Sequence, residues 1–280
     1  MAVLTEAPQR GKPRRGVLLR ILPPAMYSGR SKAVLERTFL TYSHVWMLFV
    51  SGAFEPLFYL MAFQLGFGKL VGEVVGPGGQ TMSYVAFVAP GLLAASAMNG
   101  AIMDSTYNLF FKLKYAKLYD AMLATPIGPL DIALGEVGWS VLRGGIYSVT
   151  FLGVMTAMGL PTSWWAVLLI PASLLVAMAF SAVGIVLVTF LRSVSQFDYI
   201  NLVLMPLFLF STTFYPLSVY PGTIQWIVKI FPLYHGIELM RGLSVGVLSW
   251  GMLGNVAYLL ALAAAGIYGA SRRFGKLLLR

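Results

Sequence analysis

Few residues in this sequence are equipped for chemistry, and their spacing excludes most of it. There are two histidines, His44 and His235, and no cysteine. No His-Glu-x-x-His pair offers zinc ligands, and no Gly-x-x-x-x-Gly-Lys-Ser/Thr loop is present to cradle phosphates. The chain is therefore not expected to hydrolyse ATP, and no serine-nucleophile elbow is expected either. Without thiols there is neither a disulfide framework nor a thiolate metal site. What remains are charges set inside apolar sequence: Glu55, Glu136 and Arg143. An ionisable group at membrane depth is costly and marks either a packing lock or a polar path. Glu55 and Arg143 fall at similar depths on the two helices expected to carry them, so they are a candidate pair. Glu136, seven positions before Arg143 on the same helix face, is the competing partner.

The elements that hold these charges are apolar helices. Hydrophobic residues make up 58% of the 280 positions and charged residues 11%, against about 25% charged in a soluble domain. Charge-free stretches run from Thr38 to Phe54, Val74 to Met103, Gly144 to Leu191, Tyr199 to Val228 and Gly242 to Ser271. A span needs roughly 20 apolar residues, so the long third stretch, split at Gly159-Leu-Pro-Thr-Ser163, holds two and the others one each. The fold class predicted is all-α: a polytopic membrane protein with about six transmembrane helices at about 45–66, 84–103, 132–158, 164–191, 200–215 and 248–270.

The net charge of +10 points to topology, not to nucleic acid. Sixteen of the 20 basic residues fall on one side of this arrangement: eight ahead of the first span, Lys112, Lys114 and Lys117 after the second, Arg192 after the fourth, and four in the C-terminal tail. Lys and Arg mark cytoplasmic loops, so both termini are expected in the cytoplasm. Residues 1–26 read as a flexible basic tail and 271–280 as a second one, flanking a single transmembrane domain over 27–270. Residues 27–42 read as an amphipathic interface helix, with Val34, Leu35, Thr38 and Phe39 on one arc and Arg30, Lys32, Glu36 and Arg37 on the other. Residues 104–131 are expected to form the main cytoplasmic loop, built as a short helix pair. Residues 216–232, broken by Pro216, Pro221 and Pro232, suit an outer re-entrant segment.

Several strings together resemble a known family. They are Tyr215-Pro-Leu-Ser-Val-Tyr-Pro221, Gln225-Trp226-Ile227, Phe231-Pro-Leu-Tyr-His235 and Arg241-Gly242, with Glu55-Pro-Leu-Phe-Tyr-Leu60, Ala89-Pro-Gly-Leu-Leu93, Tyr119-Asp-Ala-Met-Leu-Ala-Thr-Pro126 and Gly135-Glu136. The chain resembles the type-2 ABC exporter permeases, most of all the nodulation-factor (lipo-oligosaccharide) and daunorubicin export group. The resemblance implies a dimer with a second copy or a sister permease, and two ATPase subunits docking from the cytoplasm. ATP and magnesium would be held by those subunits, with no cofactor in this chain. It implies a coupling helix contacting the ATPase near Lys117, Tyr119 and Asp120. It implies an exit-side motif that includes Pro216, Pro221, Gln225, Pro232 and His235. The cargo class implied is amphipathic: lipid-linked saccharides, glycolipids or hydrophobic drugs, exported across a bacterial inner membrane. Two alternatives stand beside this reading: a membrane-embedded enzyme acting on lipid-linked sugars, and a non-transporting assembly subunit.

Overall fold

The computed structural model describes residues 30–43 and 58–278. Glu55, His44 and the first half of the expected first span lie outside them. Helix α1, Ser31–Ser43, falls largely within the stretch 27–42 that was expected to be an amphipathic helix. Its Val34 and Thr38 are buried, while Phe39 and Leu40 are exposed. It rests on the long helix that carries Glu136, and Gly135 is the reason it can. A Cβ at Gly135 would lie 2.6 Å from the Val34 side chain.

Helix α2 occupies residues 58–71, with a π turn at Phe63–Phe67. It leads into a short antiparallel hairpin of β1, Glu73–Val75, and β2, Thr81–Ser83, in which Val74 faces Met82. The Gly76-Pro-Gly-Gly79 turn joins them. Gly78 and Gly79 have φ of 74° and 78°, in the left-handed region that a glycine enters without steric cost.

Helix α3, Tyr84–Lys114, starts on a Ser83 cap whose hydroxyl accepts the Ala86 N–H. The sequence predicted a loop from Asp104, but the helix runs on through a π turn at Asp104–Asn108. The polar run Asp104-Ser-Thr is buried there, not looped out. Thr106 Oγ1 donates to the Ile102 carbonyl at 2.6 Å, and Ser105 sits against Gly184, where a Cβ would lie 1.9 Å from its Oγ. A glycine on the facing helix thus makes room for the polar π turn.

A short helix α4, Leu118–Leu123, follows Lys117, whose φ is 46°. Helix α5 is Pro129–Ala157, opened by proline at its first turn and by the Asp131 carboxylate accepting the Gly128 N–H. Helix α6, Leu169–Val188, follows a 3-10 turn at Trp164–Leu168. Helix α7 is Phe197–Phe210. Helices α8, Gly222–Ile230, and α9, Pro232–Val245, meet at Phe231 in extended backbone. Proline lacks an N–H and pushes the residue before it out of helical geometry, which makes the break. The stretch 216–232, expected to be re-entrant, thus holds α8 and is followed directly by a second helix. Helix α10 is Trp250–Leu278.

The all-α body packs α10 and α5 on α6, α3 against both α5 and α6, and α9 across α3 and α10. At Gly266 a Cβ would lie 2.8 Å from the Ala182 backbone, so α10 and α6 touch nearly backbone to backbone. Serines bridge α5 and α6: Ser173 to Ser148 at 2.5 Å and Ser181 to Ser140 at 3.0 Å. Small residues and hydroxyls of this kind hold helices together where lipid removes the hydrophobic drive. Among the described residues, Tyr84–Lys114, Trp164–Val188 and Trp250–Leu277 are long and apolar enough to cross a membrane.

Candidate functional site

Three polar constellations lie along this bundle. The first is at the end that carries α4. Lys117 and Asp120 are exposed, but Tyr119 between them points inward and is fully buried. Its ring lies 5.7 Å from Phe274 of α10. Its hydroxyl donates to Glu136 Oε1 of α5 at 2.8 Å. Lys112, on the last turn of α3, donates to both Glu136 oxygens at 3.0 and 2.8 Å. Gly135, beside Glu136, seats α1. Five elements thus meet around one buried carboxylate. Arg30 adds a tether by donating to the Pro126 carbonyl between α4 and α5. The string 119–126 was expected to present Tyr119 to a partner. The structure instead gives the outward surface to Lys117 and Asp120, and makes Tyr119 the pin that joins α4 to the bundle.

The second constellation lies deeper, between α3 and α5. Arg143 Nη1 donates to Asp104 Oδ1 at 2.6 Å, and its Nε donates to the Tyr147 hydroxyl at 2.9 Å. Asn108 donates to the same Asp104 oxygen at 2.8 Å. Glu136 is therefore not the partner of Arg143, because Lys112 and Tyr119 hold it one constellation away. Glu55, the other expected partner, lies outside the described residues. Sequence reasoning missed Asp104 by assigning it to a loop. The signal available was Arg143 itself, a lone cation in an apolar helix that must find an acceptor.

The third constellation is at the hairpin end. Arg241 of α9 is 2% exposed. It donates to the carbonyls of Phe87 at 3.2 Å and Thr212 at 2.7 Å, pairs with Glu238 at 3.2 Å, and lies 3.7 Å from the Phe87 ring centroid. Thr212 has φ of 63°, a strained value for a β-branched residue, and its carbonyl is what Arg241 fixes. His235 stacks on Tyr258 at 4.0 Å and shares a 2.8 Å hydrogen bond with Asn255, both of α10. Gln225 donates to the Tyr220 carbonyl at 2.8 Å. Pro216 and Pro221 stand just ahead of short helical turns, and Pro232 opens α9. The motif residues thus fold the cap and tie it to α3 and α10. Arg241, which appeared in the sequence only as part of a string, is its anchor.

The family model for the ABC-2 type transporter matches residues 30–244, which contain the three constellations except for their α10 members Asn255, Tyr258 and Phe274. The chain belongs to the ABC-2 type transporter family. Among similar proteins, Nodulation protein J of Rhizobium meliloti (strain 1021) is 30% identical over 217 residues, covering 76% of this chain and 80% of that protein. Nodulation protein J of Rhizobium leguminosarum bv. viciae is 31% identical over 217 residues, covering 76% and 82%. The inner membrane transport permease YadH of Escherichia coli (strain K12) is 27% identical over 221 residues, covering 75% and 80%. The chain is thus a membrane-spanning transport permease.

The permease also carries a Gly-x-Ser-x-Gly string at 242–246, contrary to the expectation that none would occur. It makes no nucleophile elbow. That motif needs a strand-to-helix turn that lifts the serine into the open. Ser244 lies in the last turn of α9, 1% exposed, and Gly246, with φ of 84°, is the left-handed residue that ends the helix.

Proposed function

We propose that this permease is the membrane half of an ATP-driven exporter, moved by separate ABC ATPase subunits that dock on α4. The observation that carries the reading is the construction of α4. It offers Lys117 and Asp120 to the solvent while Tyr119, on the same short helix, is locked to Glu136 inside the bundle. A push on α4 therefore reaches α3 through Lys112, α5 through Glu136 and α10 through Phe274. A helix that served only as a linker would need no buried polar anchor, whose unpaired groups would be expensive.

In this reading the α4 end faces the cytoplasm of a bacterial inner membrane, together with both termini. The hairpin and the α8–α9 cap face outward. The basic residues support that orientation, since Lys112, Lys114, Lys117, Arg192, Arg272, Arg273 and Lys276 gather at the α4 end. The chain works as a pair, with a second copy or a sister permease. Its cargo is amphipathic: a lipid-linked saccharide, a glycolipid or a hydrophobic drug.

The test is co-expression with candidate ABC ATPases of the source organism, followed by detergent pull-down and an ATPase assay. The ATPase is expected to co-purify, and replacing Tyr119 by Phe together with Asp120 by Ala is expected to uncouple hydrolysis from the permease. A folded, monodisperse permease that retains no ATPase would refute the reading.

A further inference from the structure

Four cations at the α4 end stand without a counter-charge. Arg192 follows the end of α6, and Arg272, Arg273 and Lys276 lie on the last two turns of α10. Neither helix carries an acidic residue. The nearest acid along the chain is Asp198, exposed on the first turn of α7. Among the described residues the ion pairs engage Lys32, Lys112, Arg143 and Arg241, and none of these four. Like charges gathered on one surface repel each other and concentrate anions beside them.

Arg273 is held in place. Its Nε donates to Thr189 Oγ1 at 3.2 Å and its Nη2 to the Thr189 carbonyl at 3.5 Å. Its guanidinium lies 3.9 Å from the Phe190 ring centroid. Part of this is structural, because the carbonyl at the end of α6 needs a donor. Those bonds use two of five guanidinium N–H groups and leave the others on a plane fixed by the ring. A fixed guanidinium edge matches two oxygens of a phosphate. Arg272 lies 5.0 Å from the Tyr268 ring centroid, and Lys276 follows one turn later on the same helix face. The seam between α6 and α10 is tight at Gly269, where a Cβ would lie 3.2 Å from Val186. At Gly275 it has opened, and a Cβ would meet nothing within 4 Å. Leu187, Phe190 and Tyr268 are exposed beside it. They close the apolar surface of a helix with spanning length and composition, and the cations begin where that surface ends. A basic pocket between spanning helices is where anionic headgroups bind. A dissolved anion would answer the cations and leave the exposed rings in water, whereas a phospholipid covers both.

We propose that the open end of the α6–α10 seam binds the headgroup of an anionic phospholipid, with the phosphate at Arg272 and Arg273 and the acyl chains along Phe190 and Tyr268. Binding of this kind does not depend on what drives the permease, so it stands or falls apart from the ATPase reading.

The test is native mass spectrometry of the full chain in a zwitterionic detergent, titrated with phosphatidylglycerol or phosphatidylcholine, with inorganic phosphate as competitor. The parent should prefer phosphatidylglycerol by more than about tenfold, since each cation beside an anionic lipid is worth about fivefold in affinity. Arg272→Gln with Lys276→Gln removes two exposed charges that pair with no acid, so the fold should stand. Phosphatidylglycerol should then weaken about 25-fold and phosphatidylcholine should not change. Arg273→Lys keeps the charge, loses the planar fork, and should also weaken phosphatidylglycerol. Arg37→Gln with Lys114→Gln, an equal loss of exposed charge elsewhere, should leave the preference intact. Equal binding of the two lipids by the parent would overturn the proposal. So would undiminished phosphatidylglycerol binding by the α10 variants, or an equal loss in the Arg37 and Lys114 pair, which would mean a diffuse field and no site. Displacement of the lipid by an equal concentration of inorganic phosphate would assign the cations to a free anion instead.

Discussion

Tyr119→Phe separates transmission from contact. The substitution keeps the buried ring against Phe274, 5.7 Å away, and deletes only the hydroxyl that donates to Glu136 at 2.8 Å. Glu136 keeps Lys112, with 2.8 and 3.0 Å contacts, so no charge is stranded. The loss is one hydrogen bond to a charged acceptor, about 1.5–3 kcal/mol. Truncation to Ala would add a cavity, at about 3–5 kcal/mol for an aromatic side chain, and would confuse folding with coupling. If the hydroxyl bond is made in one of the two positions of α4 and not the other, its removal shifts their ratio by about 10- to 150-fold. The assay is ATPase turnover of the assembled complex against the free ATPase, with affinity measured in parallel. Because Lys117 and Asp120 keep their exposed surface, affinity should hold within about twofold, an effect below 0.5 kcal/mol. Permease-dependent stimulation should fall at least about tenfold. Loss of affinity equal to that of Asp120→Ala would place Tyr119 in the contact itself. An unchanged stimulation in an intact complex would show that force does not pass through Glu136. Either result refutes the reasoning.

Arg241→Met leaves the buried Phe87 and Thr212 carbonyls without their donor, at about 1–3 kcal/mol for each unsatisfied group, while Glu238, 33% exposed, keeps water. A thermal-shift measurement should show a large fall, with part of it recovered in Arg241→Lys, and no fall would mean that the cap is held some other way. Gly266→Val forces a side chain against the Ala182 backbone, where even a Cβ would be 2.8 Å away, and should cost about 1–3 kcal/mol by overpacking. Gly254→Ala on the same helix meets open space and should be neutral or stabilising by up to about 1 kcal/mol; equal effects at the two sites would contradict the close α6–α10 approach. Gly135→Leu should lift α1 off α5, and brief trypsin treatment should then cut at Arg30, Lys32 or Arg37 faster than in the parent, without loss of the remaining bundle.

Apolar run length was enough to find most helices. The runs at 84–103, 164–191 and 248–270 correspond to the three helices with spanning length and composition, because a span needs little beyond continuous hydrophobicity. Helix ends were harder to read. Asp104-Ser-Thr-Tyr-Asn has the composition of a loop, yet it continues α3, because Gly184 and Arg143 lie on other helices and supply the space and the charge that bury it. The same holds for Glu136. Seven residues return to the same face of a helix, so Arg143 looked like a neighbour, but Lys112 and Tyr119 reach Glu136 from other elements. A string such as Tyr119-Asp-Ala-Met marks where α4 lies but not which side chain turns inward. On so short a helix, burial is decided by what α5 and α10 place beneath it. The Pro232 break was legible because proline acts locally; the course of α9 beyond it was not.

The claim that α4 receives an external ATPase is tested most directly by crosslinking. Asp120→Cys creates the single thiol of the chain, exposed on α4, and Trp226→Cys creates one on the α8 cap, at a position 73% exposed. Each is treated with a short bis-maleimide in the purified complex with an ABC ATPase carrying surface cysteines. The account predicts a permease–ATPase adduct from the Asp120 position and none from the Trp226 position. An adduct from the cap, or no adduct from Asp120 in a complex that hydrolyses ATP, would contradict it.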